Sequence, residues 1–206
     1  MMSKLNPVAL AFFMLTLGLS AQAQKNEASF LVGGLKTGSR GVTDAAASSI
    51  DTGASVAYEV NVATRLVNAK LVSLYFEVPL IVAPNTDLNS SNVLVPNNYS
   101  SIFFTPGLKL KAWTMSPLSP YAVLGAGIGH FNSSSTLVSG QPNPASRGTT
   151  AFVYDVGGGV DVRVIPFVAL RGEIRDLISG NPKFVVPVSG DHQHNVLFAG
   201  GVVLRF

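Results

Sequence analysis

Residues 152–177 read FVYDVGGGVDVRVIPFVALRGEIRDL, and this stretch decides the fold. Its first half puts Phe152, Tyr154, Val156, Gly158, Val160, Val162 and Val164 on one side of an extended chain. Val153, Asp155, Gly157, Gly159, Asp161 and Arg163 fall on the other. Its second half repeats the arrangement, with Val168, Leu170, Gly172 and Ile174 against Ala169, Arg171, Glu173 and Arg175. A period of two is the signature of a strand, and Ile165-Pro166 between the halves reads as a tight turn. One face is apolar and the other carries the charges. A water-soluble sandwich would bury the apolar face, whereas a barrel in a membrane would expose it, so alternation alone does not choose.

The period of two extends outward over eight segments, at residues 29–36, 52–66, 71–82, 100–112, 120–131, 149–164, 167–177 and 195–206. Most meet the roughly 9 to 11 residues that a tilted strand needs to cross a bilayer. The connections between them, 37–51, 67–70, 83–99, 113–119, 132–148, 165–166 and 178–194, alternate long and short. In an up-and-down barrel every second connection lies at the same end, and membrane barrels carry long loops at one end and short turns at the other. A Greek-key sandwich has no reason to alternate in this way. The long connections, such as SSSTLVSGQPNPASRG at 133–148, are rich in turn-forming polar residues and lack apolar periodicity. The expected fold class is therefore all-β, an eight-stranded antiparallel up-and-down transmembrane β-barrel over residues 24–206.

Composition excludes the competing classes. The 206 residues hold 14 Lys and Arg, 11 Asp and Glu and no Cys, so neither a charged disordered tail nor a disulfide scaffold is available. A net charge of +3 is too small for the clustered basic face of a nucleic-acid binder. Past the N-terminus no apolar run approaches the ~20 residues of a spanning helix. At the N-terminus, Lys4 precedes an apolar run at 8–19 and the small-x-small exit Ala21-Gln22-Ala23. This pattern predicts a cleavable signal peptide over 1–23 and a mature chain from Gln24, with no Cys to lipidate.

The last segment, NVLFAGGVVLRF, ends on an aromatic residue, with Phe206, Leu204, Val202, Phe198 and Val196 on one face. It resembles the C-terminal signature of bacterial outer-membrane proteins, with Gly201, Leu204 and Phe206 at the glycine, hydrophobic and terminal aromatic positions; Gly200 stands where that pattern often has a polar residue. With YAVLGAGIGHF at 121–131 and the stretch at 152–177, the chain is similar to the small OmpA/OmpX-like outer-membrane barrel family. The resemblance implies residence in the outer membrane of a Gram-negative cell envelope. It implies as partners the surrounding outer-membrane lipid, the barrel-assembly machinery acting on the C-terminal strand, and an unknown extracellular ligand, for a protein expected to be monomeric.

Eight strands close on an interior that side chains can fill. The inferred lumen set is Arg65, Lys109, Lys111, Arg163, Arg171, Arg175 and Arg205 against Glu59, Glu77, Asp155, Asp161 and Glu173. Near balance is what a desolvated interior requires, because an unpaired buried charge costs several kcal/mol. A tight turn at Ile165-Pro166 sets Asp161 opposite Arg171, Gly159 opposite Glu173 and Gly157 opposite Arg175, with the glycines giving room to long side chains. Aromatic girdles are expected from Trp113, Tyr121, Phe167 and Phe206 at the turn end, and from Tyr99, Phe103, Phe104, Phe131, Phe152 and Phe198 toward the loop end.

Little in the sequence points to catalysis. His192 and His194 share a long connection and would need Asp191 or a distant group to complete a metal site, so no metal is assigned. His130, followed by Asn132, Ser133, Ser134 and Ser135, is superficially similar to the lipid A deacylase barrels, but position 132 is Asn where their His-x-Ser order has Ser. The glycines of LVGGLKTG and GAGIG do not form a nucleotide-binding fingerprint, and no cofactor is expected. The expected role is structural or adhesin-like, carried by the long loops of a protein that is not an enzyme. The alternative is a narrow porin-like conduit for small or hydrophobic solutes, with a lipid A-modifying enzyme behind it.

Overall fold

The strands β9 (Gly148–Ile165) and β10 (Val168–Gly180) pair antiparallel in the expected register, Asp161 opposite Arg171, Gly159 opposite Glu173 and Gly157 opposite Arg175. The computed structural model describes residues 25–38, 40–41, 49–69, 71–90, 96–144, 148–180 and 192–206. The expected signal peptide over 1–23 lies outside them, as do Asp191 and most of the 178–194 connection.

The other strands are β1 (Asn26–Thr37), β2 (Arg40–Gly41), β3 (Ser49–Thr52), β4 (Ala54–Asn68), β5 (Val72–Ser90), β6 (Asn98–Phe104), β7 (Gly107–Ala112), β8 (Leu118–Ser133) and β11 (His192–Arg205). Each is antiparallel to its neighbours. β1 pairs both β4 and β11, so the first and last strands meet and the sheet closes. β6 and β7 pair the same two neighbours, β5 and β8, and together form one wall position. They are separated at Thr105-Pro106, where proline has no N–H for the ladder, and the register resumes unchanged at Gly107. Among the described residues the barrel thus has eight staves, as the sequence predicts, with β2 and β3 forming a short hairpin on the top of β5.

The strands outrun the sequence reading at the loop end. β5 runs to Ser90 although Pro84-Asn85 reads as a terminator, because the pairing with β6 slips between Ala83 and Thr86 and a bulge absorbs the proline. The 83–99 connection is correspondingly shorter than expected. It is tied to the next long connection by backbone bonds from the Asn97 N–H to the Thr136 carbonyl and from the Ser134 N–H to the Asn98 carbonyl. Leu137 is buried beside Pro96 in this joint.

Burial along each stave follows the period of two but inverts the order usual in water. Val56, Val60, Val62, Leu124, Phe152, Leu170, Phe198 and Leu204 are exposed on the outer wall, while Glu59, Glu77, Lys109, Asp155 and Arg175 are almost wholly buried inside. Side chains on opposite faces of one strand thus have opposite chemistry, and the apolar set lies exposed on the outside of the wall.

Candidate functional site

The interior is divided by height. Toward the turn end it holds the charges. Toward the loop end it holds a hydrophobic cluster of Leu35, Ala57, Ile81, Ala83, Leu88, Tyr99, Phe103, Phe131, Val153, Leu177 and Leu197. Phe103 is fully buried and meets Phe131 edge-on, with ring centroids 5.5 Å apart. A polar layer lies above, where Thr37 donates to Asn195 at 2.9 Å and Asn195 donates to the Leu177 carbonyl at 2.8 Å.

This cluster corrects the expected girdle. Tyr99, Phe103, Phe131 and Tyr121 are inside the barrel, whereas Phe104, Phe152 and Phe198 at the loop end and Trp113 and Phe167 at the turn end lie outside. Within the strands parity decides it: the four inward rings occupy odd positions, the face that also carries Lys109 and Lys111, whereas Trp113 and Phe167 are odd too but stand in the turns, beyond the strands that would point them inward. The sequence reading sorted them by height along the strand and not by face.

The charged half contains two linked groups. In the deeper one, Arg175 is surrounded by four carboxylates. Its Nη1 lies 2.8 Å from Asp155, its Nε 2.8 Å from Glu173, and its Nη2 2.9 Å from Glu77 and 3.4 Å from Glu59. Tyr121 donates to Glu173 at 2.6 Å, Thr105 to Asp155 at 2.9 Å and Asn61 to Glu77 at 3.1 Å. In the shallower one, Glu27 and Asp161 are shared among four cations. Arg171 forks onto Asp161 and reaches Glu27 at 3.2 Å; Lys111 contacts both acids, lying 2.6 Å from Asp161; Arg205 reaches Asp161 at 3.2 Å. Lys109 joins the groups, 3.1 Å from Glu27 and 3.2 Å from Glu77. Charges at such depth are tolerable only when paired and hydrogen-bonded, and most heads contact more than one partner; Glu59, whose one ion pair is with Arg175, is the exception.

The structure therefore brings together Glu59, Glu77, Lys109, Lys111, Asp155, Asp161, Arg171, Glu173, Arg175 and Arg205. It does not bring in Arg163, whose guanidinium donates to the Met115 carbonyl at 2.8 Å on the turn. Arg163 has the inward parity but sits beyond the last lumen layer, opposite Ala169 and next to the bulge at the β9–β10 turn. Arg65 lies at the same end, at a bulge in the β4–β5 pairing. Glu27 was missed: the alternation was read from Ser29, although the same odd parity extends to residue 27. Space beside the glycines is used differently from expectation at one position. A Cβ on Gly159 would fall 2.5 Å from the Tyr121 hydroxyl, so that glycine accommodates Tyr121 rather than Glu173.

The C-terminal residues serve closure. Gly201 sits between Leu31 and Arg171, and a Cβ there would come within 2.0 Å of the Phe30 carbonyl oxygen. Leu204 is on the outer wall. Phe206 exchanges backbone bonds with Asn26, at 2.8 and 3.0 Å.

The histidines are outside the lumen. His130 faces outward at the loop end, its Nδ1 2.9 Å from the hydroxyl of Thr150 on β9, so its partner is Thr150 and not one of the serines at 133–135. His194 pairs with Asp176 at 2.7 Å. Among the described residues no group of three or more His, Cys, Asp or Glu is placed to hold a metal.

No protein-family model matches the chain, and no curated protein does. Its fold is similar to solved structures. For Neisserial surface protein A the TM-score is 0.54 at 16% identity, over 88% of this chain and 97% of that one. For the outer membrane protein OprG from Pseudomonas aeruginosa it is 0.59 at 12% identity, over 89% and 96%. The fold is that of the small bacterial outer-membrane β-barrels.

Proposed function

We propose that this chain is a bacterial outer-membrane barrel with a sealed lumen, whose role is structural or adhesive and is carried by the loop end. The inverted wall supports the membrane: a closed sheet leaves no backbone group unpaired in hydrocarbon, and the exposed valines, leucines and phenylalanines match lipid on all sides. The loop end then faces outward and the turns face the periplasm.

The observation that carries the sealed lumen is the sequence of two barriers along its axis. An ion that crossed the network around Arg175 would next meet the packed cluster of Leu35, Ile81, Phe103, Phe131 and Leu197, where nothing replaces its hydration shell. This favours a scaffold over the porin-like conduit. The long staves and the joint between Asn97, Ser134 and Thr136 support a raised binding surface, for a ligand still to be found. No catalytic step is proposed: the His130–Thr150 pair supplies a base and a hydroxyl, and among the described residues no further contact adds a third group to orient them. The barrel-assembly machinery engaging the C-terminal strand, and a monomeric state in lipid, belong to the same reading.

The test is purification from outer-membrane fractions, with heat-modifiable gel mobility as the sign of a folded barrel, followed by planar-bilayer recording. Stable insertion without unit conductance is expected. A reproducible unit conductance would return the conduit to first place, and altered lipid A mass spectra on deletion would bring in the enzyme.

A further inference from the structure

Arg163 is the cation of inward parity that the ion network leaves out. Its guanidinium has one contact among the described residues, the 2.8 Å bond to the Met115 carbonyl, and no ion pair there includes it. A guanidinium has five N–H donors, so most of its capacity is unspent.

The acceptor that holds it is itself fixed. The turn between β7 and β8 is closed by bonds from the Ser116 N–H and the Ser119 hydroxyl to the Trp113 carbonyl, at 2.8 and 3.1 Å. The Arg163 N–H donates to the Pro117 carbonyl at 2.7 Å, which ties this turn to the end of β9. A cavity of about 420 Å³ opens beside it, lined by Pro117, Arg163, Val164, Ile165 and Pro166. Arg163 is the one charged residue of that lining, and Val164 and Ile165 are exposed. Trp113, Met115 and Phe167, exposed as well, carry the apolar surface of the outer wall past the ends of the strands.

A cation without a counter-ion, bordered by apolar surface at the end of a lipid-facing wall, is the complement of a glycerophospholipid. The phosphate takes charge-assisted bonds from the guanidinium, and the acyl chains cover the apolar border. A soluble anion would find the same cation but would leave that border in water.

We infer that the cavity between the β7–β8 and β9–β10 turns is a headgroup site for a glycerophospholipid, whose phosphate is held by Arg163 and whose chains lie against Val164, Ile165 and Phe167. The site rests on the membrane reading above and deepens it, because it sets these turns at the headgroup level of the inner leaflet.

The chain carries its own reporter, since its single tryptophan, Trp113, stands two residues from the carbonyl that holds Arg163. Insertion into vesicles with heat-modifiable mobility tests the membrane reading by itself. The folded full chain is then taken into maltoside micelles, which contain no phosphate. Phosphatidylglycerol, monogalactosyldiacylglycerol, which has two acyl chains and no phosphate, and inorganic phosphate are titrated in turn, reading Trp113 fluorescence and the lipids retained in native mass spectra. The expected result is saturable binding of phosphatidylglycerol, weakened about tenfold or more in Arg163→Gln and Arg163→Met, with monogalactosyldiacylglycerol and inorganic phosphate each binding at least about tenfold more weakly to the parent. Two neutral variants are used so that either one that folds decides the matter. The inference is overturned, with the barrel intact, if a folded variant binds phosphatidylglycerol like the parent, or if the parent binds no phosphatidylglycerol. It is equally overturned if the phosphate-free lipid binds as tightly, which leaves Arg163 without a role, or if inorganic phosphate does, which makes the ligand a free ion.

Discussion

Arg171 and Asp161 form a two-pronged pair across the β9–β10 ladder, with Nε 2.7 Å from one carboxylate oxygen and Nη2 3.0 Å from the other. The Arg171 guanidinium also lies 4.8 Å from the centre of the Tyr121 ring. Such a fork uses the planar geometry of arginine, and a lysine could not reproduce it. Asp161→Ala leaves Arg171, Lys111 and Arg205 facing each other in a desolvated space, and should cost about 3 to 5 kcal/mol in urea unfolding from lipid vesicles. Adding Arg171→Met to that variant removes one of the stranded cations and should recover part of the loss. A double variant no more stable than Asp161→Ala would contradict the pairing.

The outer wall makes a prediction of opposite sign to that for a water-soluble protein. Ile174 lies on it, between the polar rim at Asp176 and the turn. Ile174→Arg should destabilise the barrel in vesicles by about 1 to 2 kcal/mol, the cost of a guanidinium between the rim and the bilayer midplane. A stable, soluble Ile174→Arg variant that needs no detergent would refute the assignment of this face to lipid.

The hydrophobic cluster should behave as an ordinary packed core. Phe103→Ala removes a fully buried ring that contacts Phe131, with an expected loss of roughly 3 to 5 kcal/mol. The variant should still show no unit conductance, because the ion network lies in series with the space created. Channel activity in Phe103→Ala alone would show that the cluster, and not the network, is the barrier.

Closure can be probed by one methyl group at two positions. Gly201→Ala places a Cβ against the Phe30 carbonyl and should impair folding, seen as lost heat-modifiable mobility. Gly172→Ala on the outer wall of the adjacent strand meets nothing within 4 Å and should fold like the parent. Equal behaviour of the two would rule out the close approach at Gly201.

The staves, their order and the last hairpin's register were legible in the sequence because each rests on local parity, which a single polypeptide records directly. Residues 161 and 171 are tied by a turn only a few residues away. What was not legible depends on partners far along the chain. Glu27 finds Lys109, Lys111, Arg171 and Arg205 on three other strands, and nothing within β1 itself marks these partners. The division of the lumen into ionic and apolar halves was also readable in part: Leu31, Leu35, Phe103, Phe131, Leu177 and Leu197 share the inward parity, but parity assigns a face and not a height along the axis. Arg163 shows the reverse error, since face does not fix height.

The reciprocal bonds of Asn26 with Phe206 close the seam of the cylinder between β1 and β11. A sheet that lacks either of these staves carries two raw edges able to recruit a stranger's strand, so the pairing of β1 with β11 is the step that takes the wall out of reach of edge-to-edge association.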